Sequence, residues 1–353
     1  MHDKTNIIKN TIELQNIVGE AHDIIKAKVQ PQLDRHCLTY LEQSQIVFLG
    51  FWYENISDIL ILKGPPGFIQ AVNHTTLRVP YQQEFSLIES KVFDELLPVS
   101  LYCWVPGIED TLRINGVAKW SVNTNDALRD LHIEIDGAYL HCAKSIKRPK
   151  LWQEKKSPEI TIGIDNNFSK LLSNDCKLFI NSSPFLCLHT QTQSNKTELS
   201  PRGDPPGFVH IIDNQHLLIP DRPGNKRVDS MRNLLTNPQL GIIFLIPGTN
   251  LVLKINGRAT IIRDPELLQL VAIKNKPPKL GILVTVAQCQ FHKTNSLNWD
   301  EVWKQSKMVD KEKFPSLGQV LAEQNSKNQS FVTKLKGKVI EAVIQRDYKN
   351  NLY

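Results

Sequence analysis

The sequence predicts a mainly β (α+β) fold of two tandem small barrels with flanking helices, and three observations predict it. Blocks of sequence recur in the same order at a nearly constant offset. Within each copy, short runs of alternating or continuous apolar residues are punctuated by Gly, Pro, Asn and Asp. The length of 353 residues suits two domains, each able to bury its own core.

The repeat is the strongest of the three, because self-similarity fixes the architecture before any element is assigned. Lys63-Gly-Pro-Pro-Gly-Phe68 recurs as Arg202-Gly-Asp-Pro-Pro-Gly-Phe208, and Leu77-Arg-Val-Pro80 recurs 140 residues later as Leu217-Leu-Ile-Pro220. The block from Pro106 to Gly116 matches that from Pro247 to Gly257 at an offset of 141, and His141 and Trp152 match His292 and Trp303 at 151. The ten-residue change is confined to the neighbourhood of RDPELLQLVAIKNKPPKL. The organisation that follows is a first copy over 11–155 with N-terminal helices, a second over 160–308, and a helical tail over 311–353.

Residues 12–44 place Leu14, Ile17, Val18, Ile24, Ile25, Val29 and Leu33 at helical spacing, which predicts one or two helices. SQIVFLGFW, FIQAVNHTTLRVP, VSLYCWVP, TLRINGVAKWSV and LHIEIDGAYLHCA then read as strands, five or six antiparallel strands per copy. Asn115-Gly116 and Asn256-Gly257 fall inside strand runs and read as a bulge at a barrel corner, or alternatively as a hairpin turn. VDSMRNLLTNPQ predicts a short helix stopped at Asn237-Pro238, since the residue before proline disfavours helical geometry. In the tail, FPSLGQVLAEQ and FVTKLKGKVIEAVIQRDY are amphipathic.

Composition narrows the function classes. An apolar fraction of 41% and a net charge of +6 spread along the chain suit a globular protein with a local anion pocket better than a nucleic-acid surface. The longest apolar run, LGIIFLIPG, is far short of the ~20 residues of a membrane span, and the polar N-terminus does not resemble a signal peptide; the expected location is the cytoplasm. Six cysteines without a CxxC pair or a Cys/His cluster at zinc spacing predict reduced buried thiols and no metal site.

One constellation carries chemistry. Asp221-Arg-Pro-Gly-Asn-Lys-Arg-Val-Asp-Ser230 sets Arg222, Lys226 and Arg227, with Asn225 and Ser230, directly before a predicted helix. Cations and a helix N-terminus together suit a phosphate; the plainer reading is a solvated basic turn whose Asp229 or Ser230 caps the helix. No Ser/His/Asp or Cys/His arrangement and no carboxylate pair has local support, so the catalytic residues are unknown. His141 and His292 at matching positions favour a structural role.

RGDPPGF followed by LLIPDRPGNKRVDSMRNLLTNP, then a PG and LKINGRA strand, resembles the pyridoxamine 5'-phosphate oxidase-related FMN-binding split-barrel family, closest to an uncharacterised bacterial subgroup. The resemblance covers both copies and the tail, and is tighter in the second copy. It implies FMN as cofactor, with Arg202, Arg222, Asn225, Arg227, Ser230 and Asn233 holding its phosphate and ribityl chain. Tyr139-Leu-His-Cys-Ala-Lys-Ser-Ile-Lys-Arg-Pro-Lys-Leu-Trp152 resembles the family's second signature, which implies that Lys144, Arg148 and Trp152 face the flavin; core packing is the alternative for Trp152.

The copies depart from that pattern in opposite places. In the first, the loop aligned with Asp221–Ser230 is Tyr81-Gln-Gln-Glu-Phe-Ser-Leu-Ile-Glu-Ser90, without a cation and with Glu84 and Glu89. In the second, the signature keeps His292 and Trp303 and loses the aligned Cys, Lys and Arg. Family members are homodimers with sites at the subunit interface. The chain is therefore expected to be an intrachain pseudo-dimer, monomeric or weakly self-associating, with one composite FMN site. The expected function is an FMN-dependent oxidoreductase acting on a small molecule, with NAD(P)H as candidate reductant. The alternative is a non-catalytic flavin- or other ligand-binding sensor or carrier, and split barrels also hold haem or a deazaflavin.

Overall fold

The structure is a computed structural model that describes residues 6–89, 91–121, 129–153, 162, 168–294, 296–297, 302–304, 308–326 and 331–352. The junction expected at 155–160 lies outside the described residues, as do Ser90 of the first-copy loop and Asn295 and Trp299 of the second-copy signature. In chain order the helices and strands begin with α1 (Thr11–Val18), α2 (Asp23–Lys26) and α3 (Arg35–Gln43). The first sheet supplies β1 (Ile46–Tyr53), β2 (Ile56–Lys63), β3 (Gln70–Asn73), β4 (Thr76–Val79), β5 (Leu97–Trp104), β6 (Thr111–Trp120) and β7 (Leu131–His141). The short α4 (Lys144–Lys147) and α5 (Asn174–Ser182) precede β8 (Phe185–Gln191), β9 (Thr197–Gly203), β10 (His210–Ile211) and β11 (His216–Pro220). Then come α6 (Asp229–Thr236), β12 (Gln239–Leu245), β13 (Leu251–Ile262), α7 (Pro265–Gln269), β14 (Gly281–Lys293), α8 (Leu317–Gln324) and α9 (Phe331–Asn351).

The two sheets share one topology. Read from the same edge, the first runs β2-β1-β5-β6-β7-β4-β3 and the second β9-β8-β12-β13-β14-β11-β10, so each strand has its counterpart seven strands later. All pairings between named strands are antiparallel. The count is seven per sheet where the sequence suggested five or six. FIQAVNHTTLRVP is a hairpin of two strands, and its second-copy equivalent holds the two-residue β10, too short to show a period. The length difference between copies holds α7, capped by Asp264 with Pro265 in the first turn.

Both Asn-Gly pairs are bulges. The register shifts between Asn115 and Gly116 and between Asn256 and Gly257. A Cβ at Gly116 would run into the Glu134 carbonyl oxygen, and one at Gly257 into that of Thr285, which is why glycine stands at both corners.

The chain divides into two compact units with bounds that cross the repeat. One is bounded by Met1–His22 and Ser145–Trp299 and holds the second sheet; the other is bounded by Asp23–Lys144 and Asp300–Leu352 and holds the first. The segment closing the first repeat, from Ser145 to Trp152, therefore belongs with the second sheet.

In the first-sheet unit, α3 is capped by Asp34 and lays Cys37, Tyr40 and Leu41 on a core with Val47, Leu49, Leu101, Ile114 and Ile133. In the second-sheet unit, α5 is capped by Ser173, and its Phe179 and Ile180 meet Leu186, Leu188, Ile242, Phe244 and Ile255. The helix α6 anchors there through Met231 and Leu234, whose burial contributes about 1.5–3 kcal/mol each. No helix among the described residues is long and apolar enough to cross a membrane, and no group of three or more His, Cys, Asp or Glu is placed to hold a metal there.

Candidate phosphate cradle

The loop between β11 and α6 is built around Arg202, near the end of β9. Its Nη2 lies 3.5 Å from the Ser230 Oγ, its Nη1 3.5 Å from the Pro220 carbonyl and 3.5 Å from an Asp221 carboxylate oxygen. The side chain is 15% exposed, and its Nε is buried without a partner among the described residues. Burial lowers the pKa of the guanidinium against the pull of Asp221; it raises that of the Asp221 carboxyl, opposed by Arg202, Arg148 and Arg222. The cluster thus sets three guanidiniums about one carboxylate that burial disfavours in its charged form.

The helix α6 begins beside it without a side-chain cap. Its N-cap position is Val228, which can supply none, whereas α1, α3, α5, α7 and α8 are capped by Asn10, Asp34, Ser173, Asp264 and Ser316. Ser230, in the first turn, is buried and offers its hydroxyl to Arg202 instead of to the helix. Asp229, also in the first turn, is held by Arg227 at 2.7 Å and Arg232 at 2.5 Å. Uncapped N–H groups, a hydroxyl and Arg202 at one helix N-terminus suit a phosphate.

The remaining residues expected to bind the cofactor divide between this cluster and loop-building roles. Arg222 donates from Nε to the buried Asp204 at 2.6 Å and from Nη1 to the Val271 carbonyl at 2.8 Å, tying the loop to the RGDPPGF turn. The Asn225 Oδ1 accepts from the Arg227 backbone N–H at 3.0 Å, and Asn233 donates to the Thr190 hydroxyl at 3.0 Å. Lys226 is exposed, with φ of 60°, and its ammonium lies against Gly19 at the C-terminal end of α1, the negative end of that helix dipole.

From the second signature, Arg148 reaches the loop directly, donating from Nη2 to the Pro223 carbonyl at 2.5 Å. The half-buried Trp152 closes the same segment. Lys144 falls in the other unit, where its buried ammonium pairs with Asp347 at 2.6 Å. Three further residues were not singled out from the sequence. Gly203 has no room for a Cβ, which would strike the Ser145 carbonyl oxygen and approach Pro149; Ser145 carries a buried hydroxyl without a described partner; Asp204 anchors Arg222. Gly203 and Asp204 stand inside the repeated RGDPPGF block, but nothing in the sequence tells a close approach from a turn glycine.

Among the described residues the first copy has no such cradle. Ile46 pairs with Lys63 and Phe185 with Gly203, so strand register sets Leu62 where Arg202 stands, one residue from the Lys63 that the motif suggests. Leu62 is fully buried in the core. The aligned loop forms a single 3-10 turn over Gln83–Leu87, and its Phe85 packs edge-on to Trp120 at 5.2 Å between ring centroids. An aromatic plug fills the place of a charged loop.

The family model described as pyridoxamine 5'-phosphate oxidase matches residues 172–293. No curated protein matches the chain. Among solved structures, Group A Streptococcus HupZ is 14% identical over 33% of this chain and 90% of its own, with a TM-score of 0.28. A protein from Lactobacillus delbrueckii described as a pyridoxamine 5'-phosphate oxidase is 11% identical over 34% and 94%, with a TM-score of 0.29. An FMN-binding protein from Syntrophomonas wolfei is 11% identical over 31% and 78%, with a TM-score of 0.25. Residues 172–293, which span the uncapped helix and its loop, are thus similar to the pyridoxamine 5'-phosphate oxidase family.

Proposed function

We propose that the chain binds one FMN at the cradle of Arg202, Ser230 and the α6 N-terminus, and that it works as an FMN-dependent oxidoreductase on a small molecule. The observation that carries the reading is the uncapped N-terminus of α6 beside a largely covered arginine whose Nε is buried without a partner among the described residues. A phosphate dianion supplies the acceptors that this arginine nitrogen and the first-turn N–H groups lack, so the residues fit the group. Bound FMN would supply reversible hydride or electron acceptance.

The chain's own residues do the rest. Arg202 and Ser230 grip the phosphate, and Arg222 keeps the loop in place through Asp204. Arg148 fixes the turn at Pro223, bringing Trp152 along the same segment. With Leu62 and Phe85 in place of the cations, the first copy offers no phosphate a site, which sets the expected stoichiometry at one. NAD(P)H is the proposed reductant, and the cytoplasm the proposed setting.

The test begins with the absorbance spectrum of freshly purified protein, followed by titration of apoprotein with FMN and with riboflavin. Tight FMN binding near one per chain, with riboflavin weaker by at least the ~10-fold that a lost charge-assisted contact costs, is the expected result. Equal affinity for the two flavins, or two FMN per chain, overturns the assignment. NAD(P)H-dependent bleaching with reoxidation in air marks the oxidoreductase; a bound flavin inert to NAD(P)H and dithionite-free substrates marks the sensor or carrier.

A further inference from the structure

We propose that Cys176 and Cys289 form a peroxide-oxidisable dithiol, a covalent modification site separate from the phosphate cradle. All six cysteines are free thiols, and these two are joined across the core of the second-sheet unit. The helix α5 lies over β14, with Phe179 packed edge-on to Phe291 at 5.5 Å between centroids. One turn earlier on the helix and two residues earlier on the strand stand Cys176 and Cys289, both buried in the same core cluster and near enough for each thiol to shift the pKa of the other.

The two sulfurs have different surroundings. Cys176 sits in the first turn of α5, its N–H capped by the Ser173 hydroxyl at 3.2 Å, where the helix dipole favours a thiolate. The Cys289 thiol lowers the pKa of Cys176, Ser173 adds to that effect, and burial opposes it; Cys289 is pushed up in turn by Cys176. The place of Cys176 in the first turn of α5 makes it the nucleophile and leaves Cys289 as the resolving thiol. By contrast, burial raises both Cys37 and Cys103, which stay protonated.

The cover over the pair is thin. Cys176 is 5% and Cys289 2% exposed, under a segment in which Phe168 and Leu171 stand largely in solvent. That segment is held by the Ser169–Cys289 bridge and by a hydrogen bond from the Leu172 N–H to the Asn214 carbonyl at 2.7 Å. The Cys289 Sγ also donates to the Leu171 carbonyl at 3.5 Å, so lifting the segment frees the resolving thiol.

The oxidant is a hydroperoxide. The Cys176 thiolate attacks one peroxide oxygen; the O–O bond breaks, an S–O bond forms, and the departing oxygen takes a proton to leave as alcohol or water. The Cys289 sulfur then attacks the sulfenic sulfur; S–S forms, S–O breaks, and the hydroxyl leaves as water with the Cys289 proton. Two thiols give up two electrons and the peroxide accepts them.

The experiment treats the full chain with excess hydrogen peroxide, alkylates the remaining thiols, and maps the products by mass spectrometry. The expected result is loss of two of the six thiols, an intact mass lower by two hydrogens, and a peptide linkage joining Cys176 to Cys289. In Cys289→Ser the expected product is a dimedone adduct at Cys176, and in Cys176→Ser the oxidation of Cys289 slows by at least an order of magnitude. Retention of all six thiols under conditions that oxidise free cysteine overturns the proposal, as does a linkage through any other pair. Mapping wild-type protein decides the matter even where a variant fails to fold.

Discussion

The Arg148 guanidinium donates to the Pro223 carbonyl at 2.5 Å, so a residue from the closing segment of the first repeat braces the loop of the second. Both lie in the same compact unit, and Arg148 is also one of the three cations about Asp221. Of the signature residues kept in the first copy, Arg148 thus meets the loop kept in the second, whereas Lys144 pairs with Asp347 in the other unit. The contact is charge-assisted, of a kind contributing roughly 1.5–3 kcal/mol. Arg148→Ala is expected to weaken FMN binding about 10-fold or more by releasing the turn, with Arg148→Lys recovering only part, since an ammonium lacks the planar fork. Fluorescence quenching of FMN reads the affinity, and unchanged binding in the alanine variant would remove Arg148 from the site.

Gly203 is held to glycine by the Ser145 backbone. A methyl there would strike the Ser145 carbonyl oxygen, which cannot swing aside as the end of a side chain could. Gly203→Ala is expected to cost about 1–3 kcal/mol as strain and to displace residues 145–149 from the cradle. Urea denaturation should show a lower midpoint, and FMN affinity should fall with it. A variant with wild-type midpoint and affinity would mean that the strand end yields at no cost.

Much of this was legible in the sequence, and the limits are physical. The tandem repeat, the Asn-Gly corners and the α6 segment could be read because each rests on local chemistry: spacing, turn residues and a proline stop. The strand register was not legible. The shared glycine-proline motif sets Lys63 beside Arg202, yet pairing with β1 and β8 makes Leu62 the counterpart, and only cross-strand partners decide between neighbours. Ion-pair partners were equally hidden. That Arg222 is tied to Asp204 and Lys226 to the end of α1 depends on long-range contacts that a run of basic residues does not reveal.

The first copy supplies a control. Phe85 sits where the second copy carries Asn225, and its ring belongs to a cluster with Trp120 and, through Trp120, with Phe93 at 5.3 Å. Phe85→Ala is expected to destabilise the first-sheet unit by about 3–5 kcal/mol, the cost of an emptied aromatic site. FMN affinity at native temperature should stay at the wild-type value, because no residue of this plug belongs to the cradle. Thermal unfolding and flavin titration on one preparation separate the two readouts, and a matched loss of affinity would place a cofactor site in the first copy.

Acid stability tests the docking of the C-terminal segment. The Glu323 carboxylate of α8 accepts hydrogen bonds from Gln319 and Arg35 and meets the His36 Nε2 at 2.7 Å, with 13% of its side chain exposed. Burial alone would raise its pKa; the hydrogen bonds from Gln319, Arg35 and His36 outweigh that and lower it to about 2, from an ordinary 4.5. A depressed carboxyl stabilises the fold above its unfolded-state value and loses that contribution as pH falls through the folded one. The stabilisation is thus complete above about pH 4.5 and gone near pH 2, worth about 1–3 kcal/mol. Glu323→Gln should lower stability near neutrality by that amount and flatten the acid limb between those limits, because the amide has no proton to gain. Urea midpoints measured from pH 7 down to pH 2 give the slope. An acid limb as steep in the variant as in the wild type would assign the loss to other carboxylates.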